Sequence, residues 1–280
     1  MIRSPLRYPG GKSRVAEKIV SLIPDFKEFR EPFVGGGSIF INLQQKFPDR
    51  IFWINDKYSE LSTFWETLKS KPEKLIEQIW NWKHEYSDGK KLFYFLRENK
   101  DNFDEVKTAA MFFVFNRITF SGTTEAGGFS KQAFEKRFTE SSIERLYPIP
   151  QILQNVKITN ADYENSVNAN GKDVFLFLDP PYFSATNSAL YGKNGNLHKA
   201  FDHEKFAETL KNCSHKWILT YDDSPFIREL FSFAEISSWD LVYSMRNVTK
   251  KSDQKEKELL ISNYSIQNRQ EEQLAFEFSV

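Results

Sequence analysis

Apolar positions along this chain follow two rhythms. Short runs rich in Val, Ile, Leu and aromatic residues at 29–34, 51–54, 156–159, 174–178, 217–221, 241–244 and 259–262 predict strands. The run at 174–178 contains only Val, Phe and Leu, as expected of a central parallel strand covered on both faces. Helical spacing begins at 13–23, where Val15, Ile19 and Leu22 share a face and Pro24 stops the run. It returns at 38–47, 202–213 and 224–231. Strand 29–34, the Gly35-Gly36-Gly37-Ser38 turn, the helix to Phe47 and strand 51–54 make one β-α-β unit. From 58 to about 154 the pattern is helical and aromatic without a core strand. The predicted architecture is therefore α/β, with a core of 1–56 and 156–280 split by a mainly helical insertion at 57–155.

Composition narrows this picture. At 280 residues the chain can bury a substantial core, and packing accounts for most of its 27 Phe. The formal net charge is zero, so no overall positive field advertises a polyanionic partner. Charge is nonetheless clustered: Arg3, Arg7, Lys12, Arg14 and Lys18 face only Glu17 within 1–18, and Arg246, Lys250, Lys251, Lys255 and Lys257 face Asp253 and Glu256 within 245–257. The single cysteine, Cys213, excludes an internal disulfide and a Cys-rich zinc site. His84, His198, His203 and His215 form no ligand pair, so no metal is expected. Neither a signal-type stretch nor a membrane-length apolar run occurs, which makes a cytoplasmic protein without membrane association the expectation.

The most informative residues follow strand 174–178: Asp179, Pro180, Pro181 and Tyr182. Ligands bind beyond the ends of such strands. Two prolines, each with φ held at about −65°, send the chain out on a stiff path that leaves carbonyls free to accept. An exocyclic amino group on a planar base is a poor nucleophile, because its lone pair is delocalised into the ring. If Asp179 and the Pro180 carbonyl each accept one of its N–H groups, the lone pair is localised and developing charge is stabilised. Tyr182 supplies a face on which the base can stack. The competing account is a proline-terminated core strand with an N-capping Asp.

Upstream, Glu31-Pro32-Phe33-Val34-Gly35-Gly36-Gly37-Ser38 lies between the first strand and its helix, where missing Cβ atoms admit a ligand to the backbone. Asp56 follows Gly37 by 19 residues and ends the second strand, the position from which this layout grips ribose hydroxyls. Gly10-Gly11-Lys12-Ser13 suggests a phosphate loop, but Leu6 stands where that motif requires glycine. A nucleotide triphosphatase is thereby disfavoured. Asn116-Arg117, Ser121 and the loop through Thr123 and Glu125 to Ser130 offer base-edge readers, with five basic residues against two acidic between 107 and 137. A helix end with a solvated loop explains the same residues.

Nine segments in order resemble the Dam-like, α-class DNA adenine-N6 methyltransferases over nearly the whole chain. They are RYPGGK at 7–12, EPFVGGGS at 31–38, Asn55-Asp56, FNR at 115–117, ADY at 161–163, LDPPY at 178–182, FDHEKFAE at 201–208, LTYDDSPFIRELF at 219–231 and ELLISNY at 258–264. The resemblance implies a Rossmann-like sheet binding S-adenosylmethionine, with S-adenosylhomocysteine as product. It implies that Tyr8 and Lys12 enclose the cofactor, Glu31, Pro32, Phe33, Val34, Gly35, Gly37 and Ser38 lie at its methionine end, Asp56 holds its ribose, and Asp162 and Tyr163 hold its adenine. Asp179, Pro180, Pro181 and Tyr182 would take a target adenine flipped out of duplex DNA, Asp179 also bordering the cofactor. The insertion becomes a target-recognition domain, with Arg7, Asn116, Arg117, Ser121, Thr123, Glu125 and Lys131 toward the DNA. The role implied is restriction-modification or related DNA marking, as a companion of a cognate restriction endonuclease or as an orphan enzyme. Relatives that read GATC tend to carry Arg where this chain places Glu125, and a carboxylate favours a cytosine amino group over a guanine edge. A target other than GATC is therefore expected. The rival readings are transfer to cytosine N4, RNA or a protein glutamine, and an inactive DNA-binding module.

Overall fold

The computed structural model describes residues 1–8, 10–122, 127–183, 201–241 and 256–266. Seven strands build one sheet: β1 (Glu28–Glu31), β2 (Ile51–Asn55), β3 (Val156–Thr159), β4 (Val174–Leu178), β5 (Lys216–Asp222), β6 (Glu235–Leu241) and β7 (Glu256–Ser262). Their spatial order is β3-β2-β1-β4-β5-β7-β6. The first five run parallel, whereas β7 is antiparallel to both β5 and β6.

Alternation of side chains puts β4 in two cores at once. Phe175 and Phe177 join the apolar cluster on one face, while Val174, Leu176 and Leu178 join that on the other. All five are buried, which explains why the run carries no polar residue. Between β1 and β4 the direction of winding reverses: the chain proceeds outward from β1 through β2 to β3, then returns to β4 and continues to β5. The carboxyl ends of β1 and β4 consequently diverge and leave a crevice.

The first strand is shorter than its apolar run. It stops at Glu31 because Pro32 has no N–H to give the ladder, and the backbone then turns through Gly35 and Gly37 at φ of 46° and 67°. Helix α2 (Ser38–Lys46) starts immediately afterward, between β1 and β2. Helix α1 (Ala16–Leu22) precedes β1 and packs on α2.

The described residues between 59 and 153 include seven α-helices: α3 (Ser59–Ser70), α4 (Pro72–Glu85), α5 (Gly89–Asn99), α6 (Glu105–Ile118), α7 (Lys131–Arg137), α8 (Glu140–Glu144) and α9 (Ile149–Leu153). Helix α6 runs through their middle, buried without interruption from Ala109 to Ile118. Asp104 caps its start by accepting from Lys107 N at 2.8 Å. Helix α3 packs on both α6 and the sheet. Its Trp65 donates Nε1–H to the Gly35 carbonyl at 3.2 Å and meets Phe40 of α2 edge-on at 5.7 Å. The inserted helices and the sheet thus share one apolar cluster.

The run expected at 241–244 needs correction. The sixth strand is Glu235–Leu241, so only Leu241 overlaps it, and residues 242–244 lie outside the described segments.

Candidate active site

A cavity of about 650 Å³ occupies the crevice beyond β1, β2 and β4. Its lining includes Tyr8, Lys12, every residue from Glu31 to Ile39, Asp56, Asp162, Tyr163 and Asp179 to Tyr182. Residues separated by more than 150 positions in the sequence reading are therefore gathered around one space.

At the β1 end, Glu31 is buried and accepts from Phe40 N at 3.0 Å, in the first turn of α2. Burial, reinforced by the charges of Asp179 and Asp56, pushes its carboxyl well above the ordinary range despite that bond. Asp56 leaves the end of β2 and accepts from Gly35 N and Tyr58 N, each at 3.0 Å. Burial raises its pKa to about 6 against those stabilising N–H groups. Two acids held this way suit a ligand that brings cationic and hydroxyl donors. The turn beside them admits no larger residue: a Cβ on Gly35 would lie 2.8 Å from the Tyr8 ring.

Asn55, which the sequence reading grouped with Asp56 but gave no role, ties three loops together. Its Nδ2 donates to the carbonyls of Pro32 and Ala161, both at 3.0 Å, and its Oδ1 accepts from Thr159 Oγ1 and Ala161 N. This fixes Asp162 and Tyr163 against the β1 loop. Tyr163 stacks on Phe33 at 5.6 Å within an aromatic group that includes Phe201 and Phe206. Burial works against a charge on Asp162, but the Lys57 ammonium at 2.8 Å and the Glu164 N–H hold its pKa below the usual value.

At the β4 end, Asp179 is bound from two sides. Thr220 Oγ1 on β5 donates to Oδ1 at 2.7 Å, and Lys12 Nζ donates to Oδ1 and Oδ2 at 2.9 and 3.1 Å. Lys12 also reaches Tyr182 Oη at 2.9 Å and the Gly10 carbonyl at 3.0 Å. Tyr182 donates in turn to Glu258 Oε1 on β7 at 2.8 Å, and its ring stacks on Tyr221 at 5.8 Å. Burial first, then the Asp179 and Glu258 charges, keep the Tyr182 phenol well above its ordinary pKa. Thr220 and Glu258 carry no local sequence signal of these contacts, since their partners lie 41 and 76 positions away.

The expected DNA-facing residues separate into groups. Asn116 and Arg117 do not face outward: both are buried. Asn116 accepts from Arg7 N at 2.9 Å and donates to the carbonyls of Arg7 and Gly122 at 2.6 and 3.4 Å. Arg117 donates to the Pro5 carbonyl and stacks over Phe113, its centre 5.1 Å from the ring. A guanidinium and amide buried in this way clamp the N-terminal loop rather than present base-reading edges. Arg7 is half-buried beside them, and burial together with Arg137 lowers its pKa. Lys131, at the start of α7, is exposed and 3.8 Å from Glu135. Ser121 lies in a single turn of 3₁₀ helix, Phe120–Gly122. Thr123, Glu125, His198, Arg246, Lys250, Lys251 and Lys255 lie outside the described residues. Among the described residues, no set of three His, Cys, Asp or Glu side chains is arranged to hold a metal, and no helix is long and apolar enough to cross a membrane.

A parallel sheet with a reversed point between β1 and β4, an antiparallel β7 beside β5, and an acid-lined cavity at the strand ends define a Rossmann-like methyltransferase. The family model described as D12 class N6 adenine-specific DNA methyltransferase matches residues 8–245, and the chain belongs to that family. It is 28% identical over 285 residues to the type II methyltransferase M1.LlaDCHI of Lactococcus lactis subsp. cremoris, covering 94% of this chain and 96% of that protein. It is 28% identical over 199 residues to the type II methyltransferase M.MjaIII of Methanocaldococcus jannaschii, covering 63% and 68%. A DNA adenine methylase of Vibrio cholerae is 24% identical over 247 residues, covering 84% and 87%. The protein is thus a DNA N6-adenine methyltransferase by family.

Proposed function

We propose that the protein transfers the methyl group of S-adenosylmethionine to N6 of an adenine turned out of duplex DNA, at one recurring sequence other than GATC. The observation carrying this reading is the Asp179 carboxylate, held by Lys12 and Thr220 where β4 opens into the acid-lined cavity.

The chain's residues suit S-adenosylmethionine. Glu31 answers the α-ammonium group of its methionine end, Asp56 its ribose hydroxyls, and Asp162, with the rings of Phe33 and Tyr163, its adenine. Lys12 and Tyr8 border the same space, Tyr8 with its ring packed on the Gly35 turn whose backbone also lines it. When bound, the cofactor supplies an electrophilic methyl group on a sulfonium.

The target base stacks on Tyr182 and gives one N–H to Asp179 and the other to the Pro180 carbonyl. These acceptors hold the lone pair toward the methyl group and stabilise charge as the nitrogen is alkylated. Asp179 then accepts the proton that the alkylated nitrogen must lose. Extrusion of the base is required because N6 in a stacked pair cannot be attacked in line, and it costs a few kcal/mol. Residues 57–155 are read as the target-recognition part, with Lys131 and the loop holding Ser121, Thr123 and Glu125 toward the duplex. The type II names of two relatives favour a restriction-modification setting with a cognate endonuclease.

Incubation of unmethylated plasmid with protein and S-adenosylmethionine, followed by single-molecule sequencing, tests the reading. One recurring motif with N6-methyladenine is the expected result. Unmodified DNA, or only N4-methylcytosine, would overturn the reaction, and GATC as the sole modified site would overturn the inference from Glu125.

A further inference from the structure

Glu258 is an unusual residue for its place. It lies on β7 opposite Asp222 of β5, inside the sheet, and is 2% exposed. Burial of a carboxylate there is expensive. A neutral acceptor would also take the Tyr182 hydroxyl, though less strongly, at a far smaller desolvation cost, so that hydrogen bond alone does not explain the choice of an acid.

Lys12 supplies the explanation. Its ammonium has three N–H groups, already directed to Asp179, Tyr182 Oη and the Gly10 carbonyl. An amino group entering the Asp179 site competes for the same oxygens. When Asp179 takes the proton that the alkylated nitrogen loses, Lys12 becomes a buried cation without its principal counter-ion, which is strongly unfavourable. Glu258 Oε1 stands 3.9 Å from Nζ, about 1 Å beyond hydrogen-bonding distance. It is the second carboxylate within ion-pair range of Lys12 among the described residues.

We propose that Glu258 is a positioning residue for methyl transfer, which fixes the Tyr182 hydroxyl and takes over the Lys12 ammonium when the adenine amino group claims Asp179. The inference rests on the adenine-transfer reading above. The charged and titratable groups around Glu258 are Lys12, Asp179, Tyr182 and Asp222. Burial above all raises its pKa to about 7, against Lys12 and the Tyr182 hydrogen bond, while Asp179 and Asp222 push the same way as burial. The ionised form, required to receive Lys12, therefore prevails above neutrality.

The test uses the full chain, saturating S-adenosylmethionine and a duplex carrying the mapped target, in single-turnover transfer across about pH 6 to about pH 8. The wild-type rate is expected to rise through this range. Glu258→Gln, which keeps an acceptor for Tyr182, should transfer about tenfold more slowly or worse and lose the rise, while Glu258→Asp restores part of both. A Glu258→Gln protein with the wild-type rate and profile would overturn the proposal. If that variant does not fold, a flat wild-type profile overturns it equally. Wild-type protein that forms no N6-methyladenine at all would overturn the reading beneath it; product formation with an indifferent Glu258 overturns the proposal alone.

Discussion

Lys12 donates to both carboxylate oxygens of Asp179 across 167 positions of sequence. The aspartate after β4 is thus oriented by the N-terminal loop as well as by Thr220 of β5. Asp179→Ala should lower single-turnover methylation by about 10³-fold or more, because the acceptor it removes matters most in the transition state. The same change removes the principal counter-ion of the buried Lys12 ammonium, which Glu258 replaces only in part, so a loss of roughly 3 kcal/mol in unfolding free energy should accompany it, less in Asp179→Asn. Near-normal turnover would remove Asp179 from the chemistry.

Asp56 links cofactor binding to pH. Its folded pKa of about 6 lies above the ordinary 3.8. Between these values the folded state holds the proton more tightly than the unfolded chain, so this group makes the ligand-free protein less stable as pH rises from about 4 to about 6. Asp56→Asn should remove that slope and stabilise the free protein at neutral pH by on the order of 1 kcal/mol, allowing for solvent reaching the carboxylate through the cavity. It should also weaken S-adenosylmethionine binding. Denaturant titrations of both proteins at two pH values, with calorimetry of the cofactor, check the pair of effects; unchanged affinity would exclude Asp56 from the site.

Arg117 is expected to act on stability rather than sequence choice. Burial and neighbouring arginines lower its pKa to about 9, yet it remains a cation at neutral pH and holds the Pro5 carbonyl. Arg117→Ala should destabilise by roughly 2–3 kcal/mol and leave the methylated motif unchanged. A relaxed motif with unaltered thermal stability would return it to the DNA.

Gly37 is constrained twice. Its φ is 67°, and a Cβ would lie 2.6 Å from the Phe40 ring. Gly37→Ala should cost about 2 kcal/mol or more and impair S-adenosylmethionine binding, since the strained turn carries the wall beside Glu31. Wild-type melting temperature and affinity would show that the turn relaxes freely.

The elements that sequence revealed best are those whose signal is local. The Val174–Leu178 run and the proline pair after Asp179 declare a buried strand and its exit without reference to anything distant. Strand β6 is not legible in the sequence beyond Leu241, because Glu235, Ser237, Ser238 and Asp240 dilute its apolar pattern, as a sheet edge permits. Asn116 and Arg117 misled for the opposite reason. Next to a polar loop they look like base readers, whereas the Pro5–Arg7 segment, more than 100 positions earlier, takes up their polar groups. Thr220 and Glu258 likewise acquire meaning only through Asp179 and Tyr182. Helix α3 shows the same limit: its pattern assigns it to the insertion, while Trp65 binds it to the Gly35 turn.

The sheet is not completed in the order in which it is made. Strand β7 follows β6 in the chain but inserts between β5 and β6, so β6 has no neighbour until β7 arrives. During synthesis, every strand bordering the cavity is available before Glu258 has been added. A nascent chain halted ahead of that point would carry the acids of the pocket without the last carboxylate beside Lys12, and its β5 edge would stay open to pairing with other chains. Translation to β7 therefore sets the moment at which Lys12 gains its second carboxylate and the β5 edge is covered.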